Sequence, residues 1–92
     1  MGWTWDEDKN RANVRKHGLS FETAQLVFDD PLALSRRDSY PDEVRWQTIG
    51  AIGNVVIIIV HTWQEENYEG RIISARKATS HERKEYEDDE FS

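Results

Sequence analysis

The sequence predicts an α+β fold: two N-terminal helices, an antiparallel meander, and a short C-terminal helix. Three observations carry this expectation. Residues 6–28 hold helix start and stop signals with apolar residues at helical spacing. Residues 43–63 hold two strand-like runs separated only by Gly53-Asn54. Thr79-Ser80-His81-Glu82 has the form of a capping box that opens a last helix. Ninety-two residues are enough for one modest core and too few for two, so residues 1–92 read as a single domain.

The elements follow in order. Trp3-Thr4-Trp5 alternates like a short strand, and Asp6 can cap a helix whose first turn is acidic. That helix covers residues 6–17 and closes on Gly18. Ser20 can cap a second helix in which Phe21, Ala24, Val27 and Phe28 form one apolar face. Asp29-Asp30-Pro31 stops it, since the residue before proline disfavours helix. Leu32 to Ser35 reads as a short strand, and Arg36 to Asp42 as a polar loop. Glu43 to Ile52 and Val55 to Trp63 are the hairpin strands, and the unbroken apolar run Val55 to Val60 marks a central strand covered on both faces. A turn over 65–70 leads into a last strand ending at Lys77. The acidic end, 88–92, is expected to fray.

Composition narrows the function classes. No cysteine is present, which excludes disulfides and thiolate metal sites and suits a reducing cytoplasm. The longest apolar run is far below the roughly 20 residues that cross a bilayer, so no membrane association is expected. Net charge is −6, unusual for a nucleic-acid ligand. The excess is uneven: residues 79–92 carry six acids against Arg83 and Lys84, while Arg15-Lys16-His17 and Arg71 to Lys77 are basic. There is no Gly-rich phosphate loop and no H-E-x-x-H, and the three histidines fall in three different elements. Neither a metal site nor a cofactor is therefore expected.

Cations and histidines remain, and these can act on a phosphodiester. Histidine transfers protons near neutral pH, and arginine pairs bidentately with phosphate oxygens. The candidate catalytic residues are Arg76, His61 and Arg71. His61 ends the most apolar strand. Arg71 and Arg76 lie five apart on one strand, which places them on opposite faces unless a bulge intervenes. Ile73 and Ala75 make a plausible core-facing set, so Arg76 is favoured for phosphate, and Arg71 for a salt bridge to Glu65, Glu66 or Glu69. Lys9 and Arg45 are candidate phosphate contacts, and Lys16, His17 and Tyr86 join them as candidate RNA contacts only through their match to a family pattern. Each has a plainer explanation: Lys16 and His17 suit a helix C-terminus, Lys9 and Arg45 can be solvated charges, and Tyr86 can pack. Trp3, Trp5, Trp46 and Trp63 can stack on bases or pack at a core or partner surface.

Two stretches bear a family pattern. The first runs Trp5-Asp6, Lys9, Asn13, Lys16-His17-Gly18, Phe21, Ala24, Val27-Phe28-Asp29-Asp30-Pro31. The second is Arg71-Ile72-Ile73-Ser74-Ala75-Arg76-Lys77-Ala78-Thr79, followed by Glu82, Arg83 and Tyr86. In that order and spacing the chain resembles the BrnT family of type II toxins, RelE-like ribonucleases held inactive by a small partner. The resemblance implies a RelE-like antiparallel sheet with helices packed on one face. It also implies an endoribonuclease that halts growth by cutting cellular RNA. The implied partner is a BrnA-like antitoxin with a ribbon-helix-helix DNA-binding half, in a 2:2 heterotetramer that meets operator DNA only through the antitoxin. The rival from another class is a catalytically weak protein-binding module, acting as antitoxin partner and co-repressor.

Overall fold

The computed structural model describes residues 2–63 and 70–92. The elements are β1 (Thr4–Trp5), α1 (Glu7–His17), α2 (Phe21–Ala24) continued by a 3-10 turn (Gln25–Asp29), β2 (Leu34–Arg37), β3 (Trp46–Ile52), β4 (Val55–His61), β5 (Arg71–Lys77) and α3 (Ser80–Glu87). The five strands form one sheet in the order β1-β5-β4-β3-β2. It is mixed rather than purely antiparallel. β1 lies parallel to β5, with Thr4 opposite Arg71 and Trp5 opposite Ile72. No helix among the described residues is long and apolar enough to cross a membrane.

Local chemistry explains most boundaries. The Asp6 carboxylate accepts the amides of Asp8 and Lys9, and Gly18 ends α1 at φ 68°, a left-handed conformation costly for side-chain-bearing residues. Ser20 caps α2 by accepting from the Thr23 amide. At the other end Thr79 and Glu82 form the reciprocal capping box. Gly53-Asn54 closes the β3–β4 hairpin, in which Ile52 pairs with Val55. Gly50 sits in mid-strand because the 3-10 turn crosses there. A Cβ at that point would stand 2.8 Å from Val27 Cγ1.

The sheet buries a cluster on each face. Phe21, Ala24 and Val27 cover Ile57, Ile59, Ile72 and Ala75, with Trp3, Trp5 and Phe28 at the margin. On the other face Ile49, Val56, Ile58 and Phe91 pack with Leu34, Ala78 and Tyr86 of the C-terminal segment. The continuous apolar run is thus covered on both sides, as a central strand requires.

Several expectations change. β2 takes in Arg36 and Arg37, which read as loop, because Asp38 pairs with Arg45 and extends the β2–β3 ladder. The acidic end is not frayed: it turns at Asp88-Asp89 and returns to the sheet, leaving Phe91 only 4% exposed. A bulge shifts the β4–β5 register, so Val60 pairs with Ser74 but His61 with Ile72. Ile72 and Ala75 therefore share the helix-covered face, not Ile73 and Ala75. The same bulge brings Arg71 and Arg76 to one face. The expected turn at 65–70, with Glu65, Glu66 and Glu69, lies outside the described residues, apart from Gly70.

Two buried asparagines join α1 to this frame. Asn13 donates to the carbonyls of Ala75 and Leu19 (2.8 and 2.9 Å) and accepts from the Ala75 amide at 3.1 Å. β1 pairs with only the first part of β5, and the Asn13 carboxamide takes over the ladder beyond it. Asn10 accepts the Phe21 amide and donates to Glu7 and Glu22, fixing where the second helix begins.

Candidate functional site

The face of the sheet that carries α3 also carries arginines. Strand register places Arg36, Gln47, Val60 and Ser74 in one row across β2, β3, β4 and β5, and Arg76, Ile58, Ile49 and Leu34 in the next. Alternation continues the pattern to Arg45 and Arg71, which flank Thr62 at the end of the strands. Four arginines from three parts of the sequence thus open onto one surface. Arg36 and Arg76 stand three strand spacings and one row apart, roughly 16 Å between backbones.

Every one of them already faces a carboxylate. Arg76 grips Glu82 with both guanidinium nitrogens, at 2.7 and 2.9 Å. Arg71 and Arg45 share the Glu43 Oε1 atom, at 2.9 and 3.0 Å. Arg36 donates to the Gln47 side chain at 2.9 Å, reaches Glu85 at 4.0 Å and lies 3.9 Å over the Phe91 ring. Arg45 lies 3.7 Å over Tyr40. The carboxylates register this company. The Arg76 fork holds the Glu82 carboxyl down to about 2, burial opposing and the Thr79 amide assisting. Arg45 and Arg71 hold Glu43 below its ordinary value.

The expected site residues divide between two surfaces. Arg71 and Arg45 meet at Glu43, while Arg76 lies further along the same face, where Tyr86 packs. Burial works to raise the Asp30 carboxyl, but the Tyr86 hydroxyl and the Ala51 and Leu32 amides outweigh it and hold it low. In return the 2.6 Å bond to Asp30 pushes the Tyr86 phenol up to about 12. The Tyr86 hydroxyl therefore ties α3 to the chain ahead of β2. Lys9, Lys16 and His17 lie on α1 beside the β5 edge, the first two exposed, and no described bond links them to the arginines.

His61 faces the other way. It is fully buried, with Trp3 and Phe28 edge-on at 5.0 Å and Trp63 at 5.5 Å. Nε2 meets Thr48 Oγ1 at 2.6 Å and Nδ1 meets the Thr62 carbonyl at 2.9 Å. Burial pushes its pKa below the ordinary histidine value. A group so enclosed has no open path to a phosphodiester on the arginine face. The sequence reading missed Arg36, Glu43, Glu82 and Glu85. Only Arg36 left a local signal, its alternation with Leu34 on a segment now seen as strand.

Residues 5–82 match the family described as "Ribonuclease toxin, BrnT, of type II toxin-antitoxin system". The chain belongs to the BrnT family. No curated protein matches the chain. The matched span includes the first motif stretch, the second as far as Glu82, and all four arginines. The family is one of ribonuclease toxins of type II toxin–antitoxin systems, which implies an antitoxin partner.

The paired groups make an acid response predictable. A group with a lowered folded pKa binds its proton more readily when unfolded, so stability falls as pH falls. Two declines are expected. One begins below about pH 6.5, where unfolding lets His61 take a proton that burial denies it. The second runs from 4.5 toward 2, as Glu82 loses its charge. The Glu82 pairing contributes about 1–2 kcal/mol above that window, less than the shift alone implies because Arg76 is 40% exposed to screening solvent. Urea midpoints measured between pH 7.5 and 3 check this, and a flat profile from 7 to 5 would show that His61 takes its proton as readily folded as unfolded.

Proposed function

We propose that this BrnT chain is a metal-independent endoribonuclease that cuts cellular RNA on its arginine face and is silenced by its antitoxin. The observation that carries the reading is the placement of Arg36, Arg45, Arg71 and Arg76 on one face of the sheet. A transferring phosphodiester needs its negative charge balanced, and fixed guanidinium forks supply that without an ion. The 2′-hydroxyl attacks phosphorus, the bond to the 5′-oxygen breaks, and one proton leaves the first oxygen as another reaches the second. Arg76 is assigned to the phosphorane oxygens. Arg71 and Arg45 would bind the flanking backbone. His81 supports proton transfer better than His61, because its side chain is open to solvent and 3.8 Å from Glu85. Lys9, Lys16 and His17 could extend the RNA track past the β5 edge.

The implied partner is a BrnA-like antitoxin with a ribbon-helix-helix half, in a 2:2 complex that reaches operator DNA through that half alone. A RelE-like architecture fits a sheet whose C-terminal helix borders the proposed site. A reducing cytoplasm fits both the missing cysteines and an RNA target. The rival, a catalytically weak antitoxin-binding module and co-repressor, draws support from one specific fact. Each arginine of the face is already engaged by Glu43, Glu82 or Glu85.

Purified protein incubated with RNA in excess EDTA separates the two. The enzyme reading expects 2′,3′-cyclic phosphate and 5′-hydroxyl ends, with cutting stopped by added antitoxin. A strict need for Mg²⁺ or 5′-phosphate products would reject the mechanism. Intact RNA together with tight antitoxin binding would favour the rival.

A further inference from the structure

The opposite face holds an open groove of about 560 Å³ at the strand ends, lined by Ser35, Val44, Trp46 and Trp63. Val44 is 55% exposed and Trp63 41%, so large apolar surface is offered to solvent there. A chain of hydroxyls runs from the groove into the core: Ser35 Oγ to Thr48 Oγ1 at 2.7 Å, then Thr48 Oγ1 to His61 Nε2 at 2.6 Å.

The direction of that chain can be deduced. The Thr62 carbonyl only accepts, so His61 Nδ1 carries a hydrogen. Burial keeps the ring neutral, which leaves Nε2 as an acceptor. Thr48 must then donate to His61, and Ser35 must donate to Thr48. The Ser35 hydrogen therefore points inward, and only oxygen lone pairs face the groove. Among the described residues the site offers aromatic walls and the Ser35 hydroxyl oxygen as a hydrogen-bond acceptor. Cations stand beside it. The Arg37 guanidinium lies 5.9 Å from the Trp46 ring, and Arg36 and Arg37 emerge on opposite faces of β2, the terminal strand of the sheet. A polyanion crossing that edge would meet a guanidinium on either side.

We propose that this groove is a nucleobase subsite, in which an unpaired base stacks on Trp46 or Trp63 and donates a hydrogen bond to Ser35. The inference rests on the reading that RNA is the ligand, and it adds a base preference. Cytosine presents an open exocyclic amino group to a lone acceptor, whereas the single imide N–H of uracil lies between two carbonyl oxygens that repel it. Flat aromatic walls accept any base, so the hydroxyl does the choosing.

The test uses mononucleotides, which need no cleavage, and therefore separates failure of the subsite from failure of the enzyme reading. Cytidine and uridine 3′-monophosphate are titrated into the full-length protein while the tryptophan indole N–H resonances are followed by NMR. Expected are shifts at Trp46 and Trp63, with cytidine monophosphate bound roughly threefold or more tightly than uridine monophosphate, the worth of one hydrogen bond. Ser35→Ala should equalise the two nucleotides, and Trp63→Ala should weaken both. Equal binding in the unaltered protein would overturn the base preference. No shift with either nucleotide at millimolar concentration, or shifts at these indoles from the antitoxin alone, would overturn the subsite itself.

Discussion

Arg76→Ala is expected to lower RNA cleavage by at least about 10²-fold, the loss typical when a fixed charge-stabilising donor leaves a transition state. The fold should survive. Glu82 keeps its hydrogen bond to the Thr79 amide, so the capping box of α3 persists without the arginine. The lost ion pair costs about 1 kcal/mol at this partly exposed position. Arg76→Lys separates charge from geometry, because an ammonium cannot reproduce the two-pronged grip. Arg71→Ala should be milder, since Arg45 stays beside Glu43 on the same rim. Single-turnover cleavage of a defined RNA, with melting temperatures recorded in parallel, checks the ranking. Equal losses from Arg71→Ala and Arg76→Ala at unchanged stability would mean that no one arginine holds the reacting phosphate.

The converse substitution probes what the carboxylates do. Glu82 is paired with Arg76 yet is also the third residue of the capping box, where glutamine serves equally well. Glu82→Gln removes the charge while keeping the cap. If Arg76 binds phosphate, RNA affinity should rise as the internal competitor disappears. The acidic composition then reads as restraint on the cationic face rather than as evidence against RNA.

Legibility in the sequence followed the range of each interaction. α1 and α3 were readable because Asp6, Gly18, Thr79 and Glu82 act within one turn of the residues they cap. The β3–β4 hairpin was readable for the same reason, its turn lying between its strands. β1 was visible as Trp3-Thr4-Trp5, but its parallel pairing to β5 joins residues 67 apart, with no local mark. The bulge at His61 was equally silent, and with it the shared face of Arg71 and Arg76. Phe91 looked like part of a charged tail because the residues just before it are acidic; its burial under Arg36 depends on a cluster from β2, β3 and β4. Arginines stood out by residue type, but the carboxylates that pair with Arg71 and Arg36 come from distant segments, Glu43 and Glu85, and nothing local marks them.

The largest effect on stability should come from Asn13→Ala. Asn13 is buried, and its carboxamide makes three hydrogen bonds to the backbone of Ala75 and Leu19. Alanine would strand the Ala75 amide and two carbonyls without reach of water. Unmade buried bonds cost about 1–3 kcal/mol each when nothing replaces them, and partial solvent entry lowers the total to about 2–4 kcal/mol. That is a large share of the 5–15 kcal/mol typical of a whole domain. Asn13→Asp should be no better, because it turns a second oxygen toward the carbonyls that now receive the amide hydrogens. Urea unfolding reads the result as a lower midpoint with an unchanged slope. A loss below about 1 kcal/mol would show that β5 does not depend on this clamp. Because Ala75 directly precedes Arg76, the same substitution should also depress cleavage at temperatures where the protein is still folded, by loosening the strand that aims the guanidinium.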